Sequence, residues 1–304
     1  MNTTLGIASK KIRIYGVISL LILAFILPLI LGMNLYILTI LILMVIFIIY
    51  ASSWNFLTYT GQGSLGHAAF FGLGGYASAL VASASGVSPY ITMLIGGGAA
   101  ALVGLFIGAI CVRLKEWFLA MVTFGFAIII QTLMVSQFVD ITGGWDGIAA
   151  PRLISSSVPN YLLIEYYSIL VIAIIVIIIF WLILKSPVGL AFAAIRENEM
   201  EARAAGIDPV RYRLFAFLVS AYFSGVAGAL EIHHLGYITP EIGPIVGTIV
   251  ITVLWDGLQA LGLTYARFII IGLLLVLIII FLPRGLISLP DRIRISLEKR
   301  RKTP

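Results

Sequence analysis

The chain has 304 residues, of which 61% are hydrophobic and 11% are charged, and its formal net charge is +6. An ordinary soluble domain carries roughly 25% charged residues, so this composition excludes a soluble globular protein and indicates one that is embedded in a lipid bilayer. The basic excess does not point to nucleic acid, because the basic residues lie beside apolar blocks, as Lys and Arg do at the cytoplasmic ends of membrane spans.

The first part of the chain is free of charge over a long distance. From Ile14 to Val112 there is no Asp, Glu, Lys or Arg. A chain that is hidden from water must satisfy its backbone internally, as helices or as a closed barrel, and long continuous apolar blocks favour helices. We therefore predict an all-α, polytopic helical membrane protein. The basic residues 1–13 form a cytoplasmic N-terminus, and the first apolar block is an uncleaved first helix.

Nine apolar segments are long enough to be candidate spans. With the N-terminus inside, the segment 185–213 lies inside and the connection 139–165 lies outside. Nine crossings place the basic tail 287–304 outside, against the charge bias, so one element after residue 213 is either re-entrant or not a span. The nine segments are 14–31, 34–51, 64–84, 89–111, 117–138, 166–184, 214–235, 243–262 and 267–283.

Polar and glycine residues interrupt the apolar pattern between Gly61 and Gly75. Glycine weakens a helix and polar groups are costly in lipid, so this segment faces protein or water and is broken or mobile. Two interpretations stay open. Its polar groups either line a translocation path or pack between helices, with the histidine hydrogen-bonded to a neighbouring helix. The candidate path residues are Asn55, Gln62, Ser64 and His67.

The segment 185–213 is the densest polar stretch between apolar blocks. Ser186 and Pro187 predict a helix start, Gly206 predicts a left-handed helix end, and Asp208-Pro209 predicts the next start. We expect one continuous helix through Arg203, charged on one side and apolar (Ala, Ile and Met) on the other. Glu199 and Arg203 are spaced to attract, and Glu197 and Glu201 are spaced to repel. The segment is either a docking element for a soluble partner or a solvated loop.

Other titratable residues give weaker signals. His233 and His234, with Glu231 and Glu241, have the residue types of a metal site, but adjacent histidines at the end of a span are more often interfacial. We therefore expect no metal site. Within the spans, the sequence shows no nucleophile beside a base and no His/Glu metal pair, so no catalytic residue is predicted.

Four stretches of sequence carry a family resemblance. The stretch from Ser186 to Leu230, SPVGLAFAAIRENEMEARAAGIDPVRYRLFAFLVSAYFSGVAGAL, resembles the coupling region of permeases in branched-chain amino-acid ABC importers, the M-type subunit of the Liv system. Three shorter motifs fit the same family: YTGQGSLGHAAFFGLGGYASAL at 59–80, TGGWDGIAAP at 142–151 and FLPRGL at 281–286. The chain departs from the family after Pro240, where Glu241 leads almost directly to Gly243 and about one span is missing.

The resemblance implies a multi-pass permease of the cell membrane, with a permease domain at 14–286 and a cytoplasmic coupling loop at 185–213. It implies an ATP-driven importer of branched-chain or related small amino acids rather than an enzyme. No lysine follows a glycine, so the chain lacks a Walker A motif. ATP and Mg²⁺ are therefore expected on two separate ATPase subunits, with no cofactor on this chain. The other implied partners are a second related permease, an extracytoplasmic substrate-binding protein and the lipid bilayer, and no nucleic acid.

In that family the coupling loop sits in a cleft on an ATPase, so its residues act mechanically. The residues expected to contact the ATPase or to shape the loop are Arg196, Glu197, Glu201, Ala202 and Gly206. Two alternatives remain. The permease could carry another small solute, such as urea or a short amide, because the binding protein selects the substrate. A secondary transporter or channel would need no ATPase, but it should show paired ionisable residues within the membrane.

Overall fold

The computed structural model describes Ser19 and residues 21–30, 34–114 and 116–238. These residues lie in one compact unit, Met1–Gly243, and the second unit, Pro244–Pro304, lies outside the described residues. The predictions for the N-terminus 1–13, for the segments 243–262 and 267–283 and for the tail 287–304 therefore fall outside the described part of the chain. So do Glu241 and the family departure after Pro240.

Helices dominate the part of the chain that the structure describes. In chain order the elements are α1 (Leu21–Ile30), α2 (Leu35–Thr58), α3 (His67–Ser85), α4 (Pro89–Cys111), α5 (Glu116–Ser136), α6 (Val139–Thr142), a 3₁₀ turn (Gly144–Asp146), β1 (Ile148–Ala149), α7 (Tyr161–Lys185), α8 (Pro187–Glu197), α9 (Glu199–Ala204), α10 (Pro209–Leu235) and β2 (Tyr237–Ile238).

Among the described residues, six helices are long and apolar enough to cross a membrane: α2, α3, α4, α5, α7 and α10. They match the predicted segments from 34–51 to 214–235, which confirms an all-α, multi-pass membrane protein. The largest shift of a boundary is at the end of α2, which continues to Thr58 instead of ending at 51. The hydroxyl of Ser53 donates to the Tyr50 carbonyl at 2.6 Å, so this polar group is satisfied within the helix.

Helix α10 lies at the centre of the bundle and packs against α2, α3 and α4. Of the six spans it is the most buried. Glycines allow this approach, because an added Cβ at Gly74 would overlap the backbone of Gly225, and one at Gly228 would overlap the carbonyl of Phe71. Gly96 meets the carbonyl of Gly74 in the same way. Small residues at these contacts therefore let the helices pack closely.

The connection from α5 to α7 is fastened to the end of α10. Strand β1 pairs antiparallel with β2, with Ile148 opposite Ile238. The N–H of Leu153 donates to the His233 carbonyl at 2.8 Å, and that of Ala150 donates to the Gly236 carbonyl at 3.0 Å. The left-handed backbone of Gly236 (φ 77°) ends α10 and turns the chain back along this connection. The connection between α5 and α7 is thus held against the end of α10.

Candidate functional site

The polar segment between α7 and α10 contains two helices, so the prediction of one continuous helix through Arg203 is wrong. Asn198 separates α8 from α9 with an extended backbone (φ −155°, ψ 107°). Its Oδ1 accepts the N–H groups of Met200 at 3.0 Å and Glu201 at 3.4 Å. An Asn side chain that satisfies the free N–H groups of the next turn favours a new helix start over continuation.

The other ends of this segment are as predicted. Ser186 accepts the N–H of Val188 at 3.2 Å and begins α8, with Pro187 in its first turn. Gly206 has a left-handed backbone (φ 83°) after α9. Asp208 accepts the N–H of Val210 at 3.0 Å and begins α10. The local sequence therefore sets the boundaries of the segment, apart from the break at Asn198.

Glu199 fastens α9 to the start of α10. It pairs with Arg203 at 2.7 Å, as predicted, and its other oxygen meets Arg213 at 2.9 Å. The Arg213 side chain is only 13% exposed, so this second contact is shielded from solvent. Glu197 and Glu201 lie in different helices. The repulsion that was predicted from their four-residue spacing on one helix therefore does not apply.

The apolar face that was predicted for the segment is only partly buried. Ile195 and Ala202 are buried within the protein, at 2% and 3% exposure, whereas Met200 is 75% exposed. Met200 therefore lies on the outer face, and Ala193 and Ala204 are exposed as well. Because Ala202 is buried, it does not contact a partner in this conformation and contributes only to the shape of the segment. The remaining predicted coupling residues are exposed: Arg196, Glu197, Glu201 and Gly206.

A groove of about 350 Å³ runs beside this segment, between the start of α8 and the start of α10. Its lining combines apolar and charged side chains: Val188, Gly206, Asp208, Arg211, Tyr212 and Phe215. Together with the exposed charges of α8 and α9, the groove gives this end of the bundle an uneven polar surface. Such a surface suits contact with a soluble protein.

Asn198→Ala should lower the free energy of unfolding by about 1 kcal/mol, because α9 loses the side chain that caps its first N–H groups. The measurement is chemical unfolding of the purified chain in detergent. Glu201→Gln is the control, since it keeps the Asn198 cap and should unfold nearly like the parent. An equal loss in both variants would show that the cap is not the source of the effect.

A second polar site lies between α2 and α3. The predicted segment 64–84 becomes helical only at His67, so residues 59–66 form a non-helical connection between two spans. Of the range Gly61 to Gly75, which was predicted to be broken or mobile, residues 61–66 are non-helical and the rest belongs to the continuous helix α3. Gln62 and Ser64 are each 1% exposed and His67 is 2% exposed, whereas Asn55 lies on the exposed surface of α2. The structure thus buries three of the four candidate path residues and leaves Asn55 exposed.

Hydrogen bonds tie the connection and the start of α3 to neighbouring parts of the bundle. The predicted packing of His67 against a neighbouring helix is confirmed. The α2–α3 connection is hydrogen-bonded to several other segments of the bundle. The bonds are Trp54 Nε1 to the Ser64 carbonyl at 2.7 Å, Gln62 Nε2 to the Val112 carbonyl at 3.2 Å, Leu65 N–H to Thr123 Oγ1 at 3.1 Å, and His67 Nε2 with Ser220 Oγ at 2.5 Å.

His233 and His234 lie in the last turn of α10, at the end of a span, and their side chains are buried within the protein, at 0% and 5% exposure. His234 Nδ1 lies 3.0 Å from Glu165 Oε1. His233 Nδ1 donates to the Pro151 carbonyl at 2.6 Å, and its Nε2 lies 2.8 Å from Ser78 Oγ. Within the described residues no group of three or more His, Cys, Asp or Glu side chains could hold a metal ion.

Sequence reasoning missed the pair of Glu165 and His234, which joins α7 to α10. The predicted span began at residue 166 and so left Glu165 outside it, although this acid lies within the helix Tyr161–Lys185. A single acidic residue in an otherwise apolar span is costly in lipid and calls for a buried partner. That signal identifies Glu165 as a paired residue, but it does not identify the partner.

Comparison with known proteins assigns the chain to a family. The family described as "Branched-chain amino acid transport system / permease component" matches residues 36–278. The chain is 31% identical over 202 residues to the high-affinity branched-chain amino acid transport system permease protein LivM of Escherichia coli, covering 58% of this chain and 47% of the relative. The corresponding protein of Salmonella typhimurium is 30% identical over the same shares of the two chains.

A third relative is archaeal. The probable branched-chain amino acid transport permease protein LivM of Methanocaldococcus jannaschii is 26% identical over 177 residues, or 53% of this chain and 51% of the relative. The chain spans about half the length of the curated relatives it matches, and no solved structure gives a significant match. Because the family match covers well over half of the sequence, the chain belongs to the permease components of branched-chain amino acid transport systems.

Proposed function

We propose that this chain is the membrane permease subunit of an ATP-driven ABC importer, which translocates branched-chain or related small amino acids into the cell. The observation that carries this proposal is the family match over residues 36–278, on a bundle with six apolar helices among its described residues. The curated relatives are named for the same transport.

The segment α8–α9 is the proposed contact with the ATPase. A single residue, Ser186, separates α7 from α8, so a force on α8 is carried directly into a span. On the other side, the contact of Glu199 with Arg213 joins α9 to α10. The exposed Arg196, Glu197 and Glu201 serve as contact positions, whereas Ala202 and Gly206 set the shape of the segment.

The proposed assembly places the chain in the cytoplasmic membrane, with the N-terminus and the α8–α9 segment inside. Basic residues near the ends of spans support this orientation. Two ATPase subunits bind ATP and Mg²⁺, a second related permease completes the passage, and an extracytoplasmic binding protein delivers the solute. This chain supplies no cofactor site in that arrangement.

The translocation path is proposed to pass the connection between α2 and α3. Gln62, Ser64 and His67 are buried polar groups in a membrane-embedded bundle, and such groups commonly mark solute pathways. Asn55 lies on the exposed face of α2, where a second permease or the path could meet it. The packing of His67 against α10 is compatible with a role in the path, because a residue held between two helices moves when those helices move.

Uptake into proteoliposomes tests the function. The chain, reconstituted with its ATPases, second permease and binding protein, should accumulate labelled leucine only when ATP is supplied on the ATPase side. Transport of urea or a short amide instead of leucine would support the alternative solute on the same scaffold. Leucine uptake that continues without ATP would contradict an ABC importer and indicate a secondary transporter or channel.

A further inference from the structure

Two buried hydrogen-bond acceptors of the α2–α3 connection have no partner. Within the described residues, four buried side-chain atoms lack one: Gln62 Oε1, His67 Nδ1, Tyr76 Oη and Arg213 Nε. The first two lie five positions apart, on the connection and at the first residue of α3. Buried polar atoms in native proteins are nearly always paired, so two unpaired atoms on neighbouring parts of the chain require an explanation.

The hydrogen bonds around His67 fix which ring nitrogen carries the proton. The hydroxyl of Ser220 donates its single proton to the Ser53 carbonyl at 2.5 Å, because a carbonyl can only accept. Ser220 Oγ must then accept from His67, so His67 Nε2 carries a proton. In the described residues no acidic side chain forms an ion pair with His67, which favours the neutral ring. Nδ1 is therefore an unprotonated acceptor.

The amide of Gln62 is oriented in the same way. The Val112 carbonyl accepts at 3.2 Å, so the atom that faces it must be the amide nitrogen. This leaves the amide oxygen, Oε1, as an acceptor without a donor. Both unpaired atoms on the connection thus need an N–H or O–H group from elsewhere, and neither can satisfy the other.

Open space lies between these two residues along the chain. A Cβ placed on Gly63 would meet no heavy atom within 4 Å, whereas one on Gly66 would collide with the backbone of Thr123. The connection is therefore tightly packed at its α3 end and open at Gly63. Glycine at 63 is not required by packing, and the absence of a side chain there leaves room on the connection that carries the two acceptors.

We propose that Gln62 Oε1 and His67 Nδ1 accept hydrogen bonds from the ammonium group of the transported amino acid as it passes the α2–α3 connection. This inference rests on the proposed function. Two neutral acceptors suit a cargo that must enter and leave, because they bind an ammonium group less tightly than a carboxylate would. Both atoms are closed off in this conformation, so the ammonium reaches them when the connection moves during transport.

Thiol labelling at Gly63 tests the proposal with both acceptors in place. Gly63→Cys is made in a Cys111→Ser background, since Cys111 is the only cysteine of the sequence. The assembled transporter is labelled during ATP turnover with 2-aminoethyl methanethiosulfonate, which carries an ammonium group, or with the anionic 2-sulfonatoethyl reagent. Ser155→Cys is the control variant, because Ser155 is exposed on the connection between α5 and α7 and has no proposed role in the path.

The cationic reagent should react with the Gly63→Cys variant about tenfold faster than the anionic one, once each rate is divided by the rate for the Ser155→Cys variant. Adding Gln62→Met or His67→Phe should reduce that preference, and leucine should slow the labelling. Equal rates for both reagents, or a preference that survives both substitutions, would overturn the proposal and indicate a site for water only. A cationic preference without protection by leucine would retain the ammonium site and reject an amino acid as the cargo.

Discussion

Gly228→Ala is expected to cost about 3 kcal/mol of unfolding free energy and to prevent normal assembly of the bundle. The added Cβ would overlap the carbonyl of Phe71, which belongs to the backbone of α3 and cannot rotate away. Relief therefore requires α3 and α10 to separate. These two helices form one of the main contacts of the described bundle, so the effect should spread beyond the substituted site.

Gly98→Ala is the matched control. This glycine also lies within a span, α4, but its added Cβ would meet no heavy atom within 4 Å. Alanine also has the higher helix propensity, so this variant should unfold like the parent or slightly later. The measurement is denaturant unfolding of both variants in detergent. If both lost the same amount of stability, the close approach of α3 and α10 would not be what limits substitution at Gly228.

Removing one partner of the buried pair between Glu165 and His234 should destabilise the protein by about 3 to 5 kcal/mol. Both side chains are 3% exposed, and the contact joins α7 to α10. Glu165→Leu leaves the His234 N–H without its acceptor, and His234→Leu leaves a buried carboxyl group without its donor. Either unpaired group would be buried, and a buried polar group without a partner is costly.

The double variant Glu165→Leu with His234→Leu distinguishes the contribution of the contact from the contributions of the two individual side chains. With both polar groups gone, nothing is left unpaired, and the loss should be much smaller than the sum of the two single losses. Unfolding of the two single variants and the double variant in detergent completes the cycle. Losses that simply add would show that the two residues act independently and that the contact contributes little.

Local sequence was sufficient to predict the spans and most of the helix ends. The six described spans follow from continuous apolar blocks, and Ser186, Gly206 and Asp208 mark helix boundaries because their roles depend on adjacent residues alone. The break at Asn198 is local too, yet it was missed. Its neighbours Glu197 and Glu199 are acceptable in a helix, and an Asn can either continue a helix at a small cost or begin a new one.

Contacts between distant residues could not be predicted in this way. His67 meets Ser220 at a separation of 153 residues, and His234 meets Glu165 at a separation of 69. Their pairing depends on how the spans are arranged, which the hydrophobic pattern of each helix does not specify. The sequence could show that polar residues near Gly61 need partners, but it could not decide between path and packing.

In the proposed assembly, the outer face of α8 and α9 binds the ATPase on the cytoplasmic side of the membrane. Met200 is suited to report on this face, because its side chain is 75% exposed and a cysteine there keeps the backbone N–H that Asn198 caps. Ser155→Cys serves as the opposite control, since residue 155 is exposed on the connection that is predicted to lie outside.

The most direct measurement is the rate at which a membrane-impermeant thiol reagent labels Met200→Cys in a Cys111→Ser background. Labelling should occur in inside-out vesicles and not in right-side-out vesicles, with the Ser155→Cys variant showing the reverse. Bound ATPase subunits should slow the labelling of the Met200→Cys variant severalfold. Labelling from the outer side, or a rate that is the same with and without the ATPase subunits, would contradict the account.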